Sequence, residues 1–291
     1  MKEKIKAFAK TLQIEFTGIA PAEPMNELRE ILQDRRRTFG LPAFEEPDLE
    51  KRTVPERTLP GAKSIVVCLF PYHSEHCAAQ NLAKFAQIPD YHTVVMERLK
   101  KLCGFIKELF PKANLAPFVD TGPLADKYLA FQAGLGFFGK NTLLINEIYG
   151  SYVFVGYIVT NLPLEPDTPS DKTCMGCGKC LALCPGRALS GGGLNAFRCV
   201  SYITQLKEAD AKQKKILSAQ QSVYGCDVCQ EVCPHNQDIP QTPIDEWKQP
   251  KLTSLEQEKI SAMSKREFKR IYKEYPFSWR GKDALLKNFE K

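Results

Sequence analysis

The 291-residue sequence contains no long apolar run. Its longest, residues 64–70 and 152–159, fall well short of the roughly 20 residues a membrane-spanning helix needs. The lysine-rich start, residues 1–10, leads into neither an apolar h-region nor a small-residue cleavage site, so no export signal is expected and a cytoplasmic setting is. Strand and helix signals alternate without the regular βαβ spacing of a Rossmann sheet, which argues for an α+β fold. There are no internal repeats beyond paired cysteine runs. Hydrophobic content of 43% and charged content of 25% are ordinary for a globular protein, and the length allows one large core plus a smaller module.

Cysteine is abundant and concentrated. Eight of the eleven lie between residues 174 and 233. The first run reads Cys174-x2-Cys177-x2-Cys180-x3-Cys184-Pro185, the bacterial ferredoxin pattern, in which three thiolates hold one [4Fe–4S] cube and the fourth reaches a second. The second run, Cys226-x2-Cys229-x3-Cys233-Pro234, is one cysteine short, and the isolated Cys199 is the natural replacement. The expected ligand sets are Cys174, Cys177, Cys180 and Cys233 for one cube, and Cys184, Cys199, Cys226 and Cys229 for the other. Structural zinc also uses C-x2-C pairs, but as two separated pairs without the C-x3-C-P ending. Disulfides are a poorer reading, because cysteines two or three apart make poor staples and nothing signals export.

The net charge is +6, and residues 251–291 carry eleven Lys/Arg against six Asp/Glu. Arg35-Arg36-Arg37 and Lys212-x-Lys214-Lys215 are smaller basic runs. A single such run is ordinarily a solvated helix face. A basic tail on a redox protein also permits a polyanionic partner such as RNA, because phosphates are met by Lys and Arg.

In chain order, Ile5, Phe8, Ala9 and Leu12 have the spacing of an amphipathic helix over residues 2–14. A strand is expected at 16–20, a helix at 25–36, and a long ordered loop at 39–60. A buried strand follows at 64–70, then a helix at 91–110 ended by Pro111. A strand at 116–120 delivers Asp120 to the turn Thr121-Gly122-Pro123, and a helix is expected at 124–133. Strands at 142–145 and 151–161 should pair through a turn at Tyr149-Gly150. Gly134, Gly136 and Gly139 formally match G-x-G-x-x-G, but the dinucleotide fingerprint needs a strand before and a helix after, and the order here is reversed. Those glycines either allow backbone to approach something flat or close a helix.

Several stretches together resemble the epoxyqueuosine reductase family. They are Leu59-Pro-Gly-Ala-Lys-Ser64, Asp90-Tyr-His92, Phe118-Val-Asp-Thr-Gly-Pro-Leu124, Ala133-Gly-Leu-Gly-Phe-Phe-Gly-Lys-Asn141, Arg198-Cys-Val-Ser-Tyr202 and Tyr224-Gly-Cys-Asp-Val-Cys-Gln-Glu-Val-Cys-Pro234. The resemblance implies an enzyme that reduces epoxyqueuosine to queuosine at the wobble base of tRNAs with GUN anticodons. It implies base-off cobalamin cycling between cob(II)alamin and cob(I)alamin, fed by two [4Fe–4S] clusters and an external donor such as flavodoxin or ferredoxin. It further implies a nitroreductase-like cobalamin domain at 1–165, a ferredoxin-like two-cluster domain at 166–240, a basic helical tail at 241–291, no membrane association, and a monomer.

On the same resemblance Asp120 is the proton donor, its pKa raised by burial so that it can protonate the opening epoxide. Read alone, Asp120 is more simply a cap for the helix after Pro123. Arg52, His92, Asp120, Leu144, Val155, Ser201, Cys226 and Asp227 match corrinoid-contacting positions, although Leu144 and Val155 are equally plain strand core. Lys127 and Lys207 match positions on the RNA side. His235 stands where relatives more often have Trp, beside the clusters rather than as a ligand. The Gly-rich lead-in often seen before Asp-Tyr-His is missing. No Asp-x-His-x-x-Gly signature of a protein ligand to cobalt is present, and a short form without the C-terminal helical repeat domain is expected. A dehalogenase-like cobalamin reductase and a non-catalytic electron-transfer protein are the alternatives.

Overall fold

A computed structural model describes residues 1–74, 81–190, 193–249 and 252–290. The chain divides into two compact units. One comprises Met1–Pro71 with His92–Met175, and the other Tyr72–Tyr91 with Gly176–Lys291.

The first unit is built on an antiparallel sheet of β1 (Phe16–Pro21), β2 (Ser64–Pro71), β3 (Leu115–Val119) and β6 (Val153–Thr160), in the order β1-β2-β6-β3. β2 is buried along its whole length. An antiparallel strand with one wet face would alternate in polarity, but both faces of β2 are covered. Ile65, Val67 and Leu69 join Leu129 and Ala130 of α5 (Asp126–Gln132) in one apolar cluster. Toward the other face, Val95 and Leu99 of α4 (Tyr91–Leu109) lie against Gly156 of β6. Pro117 sits in β3, an edge strand, where its missing N–H costs no central ladder bond. α1 (Lys2–Thr11) buries Ile5 and Ala9 as its periodicity requires, and its Phe8 stacks on Phe105 of α4 with centroids 4.0 Å apart. α2 spans Asn26–Phe39.

Four expectations need correction. The 39–60 stretch contains α3 (Leu49–Thr53), which starts because the Asp48 side chain accepts the Glu50 N–H. The helix expected from 124 begins at Asp126, so Pro123 lies ahead of it. The strand expected at 142–145 shrinks to β5 (Leu144–Ile145), paired with β4 (Phe137–Phe138). β6 does not pair back onto it. Its partners are β2 and β3, because a strand with buried residues on both faces is satisfied only in the sheet centre.

In the second unit, short elements hold the cysteines from Cys177 onward: α6 (Lys179–Ala182), the hairpin β7 (Leu189–Ser190) and β8 (Gly193–Leu194), α7 (Val200–Ile203), α8 (Ala211–Ser218) and α9 (Val228–Glu231). α8 opens with a reciprocal cap between Asp210 and Gln213. The C-terminal helices α10 (Gln257–Ala262), α11 (Lys265–Tyr272) and α12 (Lys282–Leu286) pack on this framework. Ile260, Phe268, Phe277 and Leu285 share an apolar cluster with Leu82, Val223 and Tyr224. Each such large side chain, fully buried, contributes roughly 1.5–3 kcal/mol. The buried Asn288 amide donates to the carbonyls of Thr204 and Val223 at 2.8 and 2.9 Å.

Candidate functional site

In the first unit the backbone leaves β3 at Val119 and enters the left-handed region at Asp120, with φ 53°. Aspartate tolerates this conformation better than most residues. The half-exposed Asp120 carboxylate meets the His92 imidazole, Oδ2 to Nε2, at 3.1 Å. His92 occupies the first turn of α4, so two positions 28 residues apart converge. Asp120 is not a helix cap. The capping position of α5 is Ala125, which makes no side-chain cap bond.

Below this pair lies a group that sequence reasoning missed. Asp126 accepts the Lys127 N–H at 2.7 Å, and burial, then the charge of Asp120, push its carboxyl above the usual range. Burial, then the charge of Asp126, likewise raises the Tyr157 phenol. The Arg52 guanidinium acts on both in the opposite direction. Nothing in local sequence marks Tyr157, which reaches the loop only through sheet register. Lys127 donates to the Thr142 carbonyl at 3.2 Å. Leu144 and Val155 lie buried in the apolar cluster around Tyr157.

The 134–139 glycines close against their own chain. Gly134 follows the end of α5 at φ 70°, and a Cβ there would stand 2.4 Å from the Thr168 carbonyl oxygen. At Gly136 a Cβ would stand 2.4 Å from that of Ile145. The basic triplet is also ion-paired within its own segment: Arg35 and Arg36 both pair with Glu45, and Arg37 with Asp34.

In the second unit the fold gathers distant cysteines. The Asn195 N–H donates to the Ala188 carbonyl at 2.9 Å, and Arg198 Nε to that of Gly186 at 2.8 Å. These bonds lay Cys199 beside Cys184. The Gly225 N–H donates to Thr204 Oγ1 at 3.0 Å, bringing Cys226 to the end of α7. Burial is the main reason the Cys226 thiol is pushed up to about 12, and the charges of Cys199 and Cys184 add to it. Cys229 is raised by burial and by Cys199, Cys226 and Cys184. Cys184, Cys199, Cys226 and Cys229 therefore form one electrostatic neighbourhood, and this is the set expected for one cube. Iron's positive charge is what such sulfurs need to lose their protons. The Ala188 N–H donates to Cys184 Sγ at 3.2 Å, a contact of the kind that tunes cluster potential. Of the other set, Cys180 and Cys233 are buried. Among the described residues no three His, Cys, Asp or Glu side chains close on a point as the ligands of one ion would. Thiolates around a cube instead stand apart at its corners.

Asp227 is buried at the start of α9; its Oδ2 accepts the Lys84 N–H at 2.6 Å, and burial raises its pKa to about 6. Among the described residues, its Oδ1 and the Nε of Arg52 are buried without hydrogen-bond partners. Within its own unit each is an orphaned polar atom of the kind an amide-bearing cofactor can satisfy. Ser201 lies in α7, and its carbonyl accepts from Gln205. Lys207 lines a cleft of about 650 Å³ with Lys214, Lys215 and Lys287, over apolar Ile203 and Leu217. No helix among the described residues is long and apolar enough to cross a membrane.

These features define an iron–sulfur oxidoreductase, and residues 173–236 match the family model of the 4Fe-4S double cluster binding domain. Residues 52–121, spanning Arg52, His92 and Asp120, match the model described as epoxyqueuosine reductase QueG, DUF1730. The chain is 36% identical to the epoxyqueuosine reductase of Bacillus cereus over 99% of its own length and 78% of that protein's. It superimposes with a TM-score of 0.92 and 34% identity on an epoxyqueuosine reductase crystallised with an epoxyqueuosine-modified tRNA-Tyr stem loop, covering 99% of this chain and 79% of that one. A Bacillus subtilis epoxyqueuosine reductase, described with an aspartate-bearing catalytic loop swung out of the active site, matches at 0.91 and 33% identity over the same shares. The chain belongs to the epoxyqueuosine reductase family.

Proposed function

We propose that this protein reduces epoxyqueuosine to queuosine at the wobble position of tRNAs with GUN anticodons, with Asp120 as proton donor. The observation that carries the reading is the match over 99% of the chain to a relative holding an epoxyqueuosine-modified stem loop. The convergence of His92 on Asp120 supports the assignment of the acid. As the epoxide C–O bond breaks, its oxygen gains negative charge, and a carboxylic acid at that point lowers the barrier by transferring a proton. His92 orients the carboxyl, and the left-handed turn presents it clear of the sheet.

Cys174, Cys177, Cys180 and Cys233 hold one cube, and Cys184, Cys199, Cys226 and Cys229 the other. Arg52, His92, Asp120, Leu144, Val155, Ser201, Cys226 and Asp227 contact cobalamin, with Leu144 and Val155 giving it an apolar backing. A sheet covered by helices on both faces supports the nitroreductase-like reading of the first unit. When bound, the clusters supply electrons singly and cobalamin supplies the two-electron reduction. The external donor is a flavodoxin or ferredoxin, and the enzyme acts as a cytoplasmic monomer. Lys127 and Lys207 meet the RNA, and the lysines lining the cleft with Lys207 supply further phosphate contacts.

The test is nucleoside mass spectrometry of epoxyqueuosine-modified tRNA incubated with reconstituted protein, cobalamin and reductant. Queuosine is expected from the wild type. D120N should keep both clusters and cobalamin yet lose turnover at least about 100-fold. Failure to take up cobalamin, or wild-type rates from D120N, refutes the reading.

A further inference from the structure

The loop between β3 and α5 carries Asp120, yet α5 has no side-chain cap to anchor its start. The anchoring comes from the sheet. Tyr157 stands opposite Phe118 in the β3–β6 register, and the two rings stack with centroids 5.3 Å apart at 27°. Its ring is fully buried, and a buried hydroxyl requires a hydrogen-bond partner. The Leu124 N–H donates to Tyr157 Oη at 3.3 Å. Gly122 lies directly on the same oxygen: a Cβ there would stand 2.2 Å from Tyr157 Oη and 2.8 Å from Phe118 Cβ. The Thr121 N–H folds back to the Val119 carbonyl at 2.5 Å. The loop is thus seated on one phenol oxygen two and four residues past Asp120.

We propose that Tyr157 is a positioning residue for the reduction, its hydroxyl latching the Gly122–Leu124 segment so that Asp120 is presented to the substrate oxygen. The strand fixes the phenol, the phenol fixes two backbone positions of the loop, and those positions leave Asp120 little freedom beyond its side-chain torsions. Gly122 is required because the seat has no room for a side chain. Burial, and after it the charge of Asp126 at the loop's far end, raises the pKa of this phenol. This inference rests on Asp120 being the proton donor.

Y157F removes one oxygen and keeps the ring stack, so the test separates latching from packing. The readouts are amide exchange at Leu124 in the cluster-loaded protein, and steady-state kinetics on epoxyqueuosine-modified tRNA. Exchange at Leu124 should accelerate about three- to tenfold, the range expected for one lost hydrogen bond. The kcat should fall by a similar factor with KM for tRNA and cluster absorbance unchanged. G122A should fall further, and adding Y157F to it should restore part of the loss, because the closest clashing atom is gone. Unchanged Leu124 exchange in Y157F, or faster exchange with unchanged kcat, overturns the latch. A wild-type protein inactive on the modified tRNA overturns the proposed function instead, and the exchange data then judge the latch alone.

Discussion

His92 Nε2 stands 3.1 Å from Asp120 Oδ2, joining the first turn of a long helix to the residue that leaves an edge strand. A single proton between them comes from the imidazole when the carboxyl is ionised and from the acid when it is not. The pair therefore holds the carboxyl's orientation in either state.

If the pair works as a unit, its two members must be non-additive. H92A should lower kcat about tenfold in the wild-type background and add almost nothing to D120N. A full tenfold further loss in the double variant would show that His92 acts elsewhere. The same rate measurements at saturating tRNA decide it.

Replacing Cys199 tests the cluster assignment. C199A should drop the iron content from about eight to about four per chain, since one of two four-iron cubes loses a ligand. C103S should keep the full complement, because Cys103 lies on α4 and burial alone pushes its thiol up to about 11. Iron and acid-labile sulfide analysis distinguishes the variants, and equal loss in both would contradict the assignment.

The lysine cleft predicts a salt effect. K214E/K215E should weaken binding of the modified stem loop and flatten the log Kd against log salt slope by about 1.4–1.8, the value for two phosphate contacts. Turnover at saturating RNA should be unchanged. An unaltered slope by fluorescence anisotropy would remove these lysines from the RNA contact.

Asp167 ties α1 to the first strand. Lys2 and Lys6 both reach its carboxylate at 2.8 Å, and the Ile19 N–H donates to it at 2.9 Å. Burial acts to raise its pKa, but these hydrogen bonds outweigh it and hold the carboxyl below the ordinary 3.8. The folded form therefore binds the proton more weakly than the unfolded one. The resulting stability is complete above pH 3.8 and is lost only as pH falls through the folded pKa. D167N should cost about 1–2 kcal/mol after allowing for partial exposure. The gap in denaturant midpoints should stay constant from pH 7 to pH 5, and a gap that narrows in that range would contradict the argument.

Helix α1, strands β1 and β2, and helix α4 were legible because their periodicities are strong and their ends carry ordinary stop signals. The β6 pairing was not. A run such as Val-Phe-Val-Gly-Tyr-Ile-Val-Thr announces a buried strand but not which neighbours it takes, and the nearby turn suggested the wrong one. The start of α5 was misread because Pro123 fits a first helical turn equally well as the loop that precedes one. Asp126 and Tyr157 gave no signal, since each matters through what it touches across the sheet.

The sequence alone pointed to a two-cluster iron–sulfur domain, which residues 173–236 match, and its short fixed spacings suggested how the cysteines would divide between the cubes. It also named Asp120 and His92, through the motifs that resemble a known family. Only the tertiary structure set His92 against Asp120, laid Cys199 beside Cys184, and placed a phenol from the sheet centre beneath the loop that carries the acid. Spacing along a chain constrains residues a few positions apart. Contacts between residues 28 or 33 positions apart depend on strand register and on how a helix crosses the sheet.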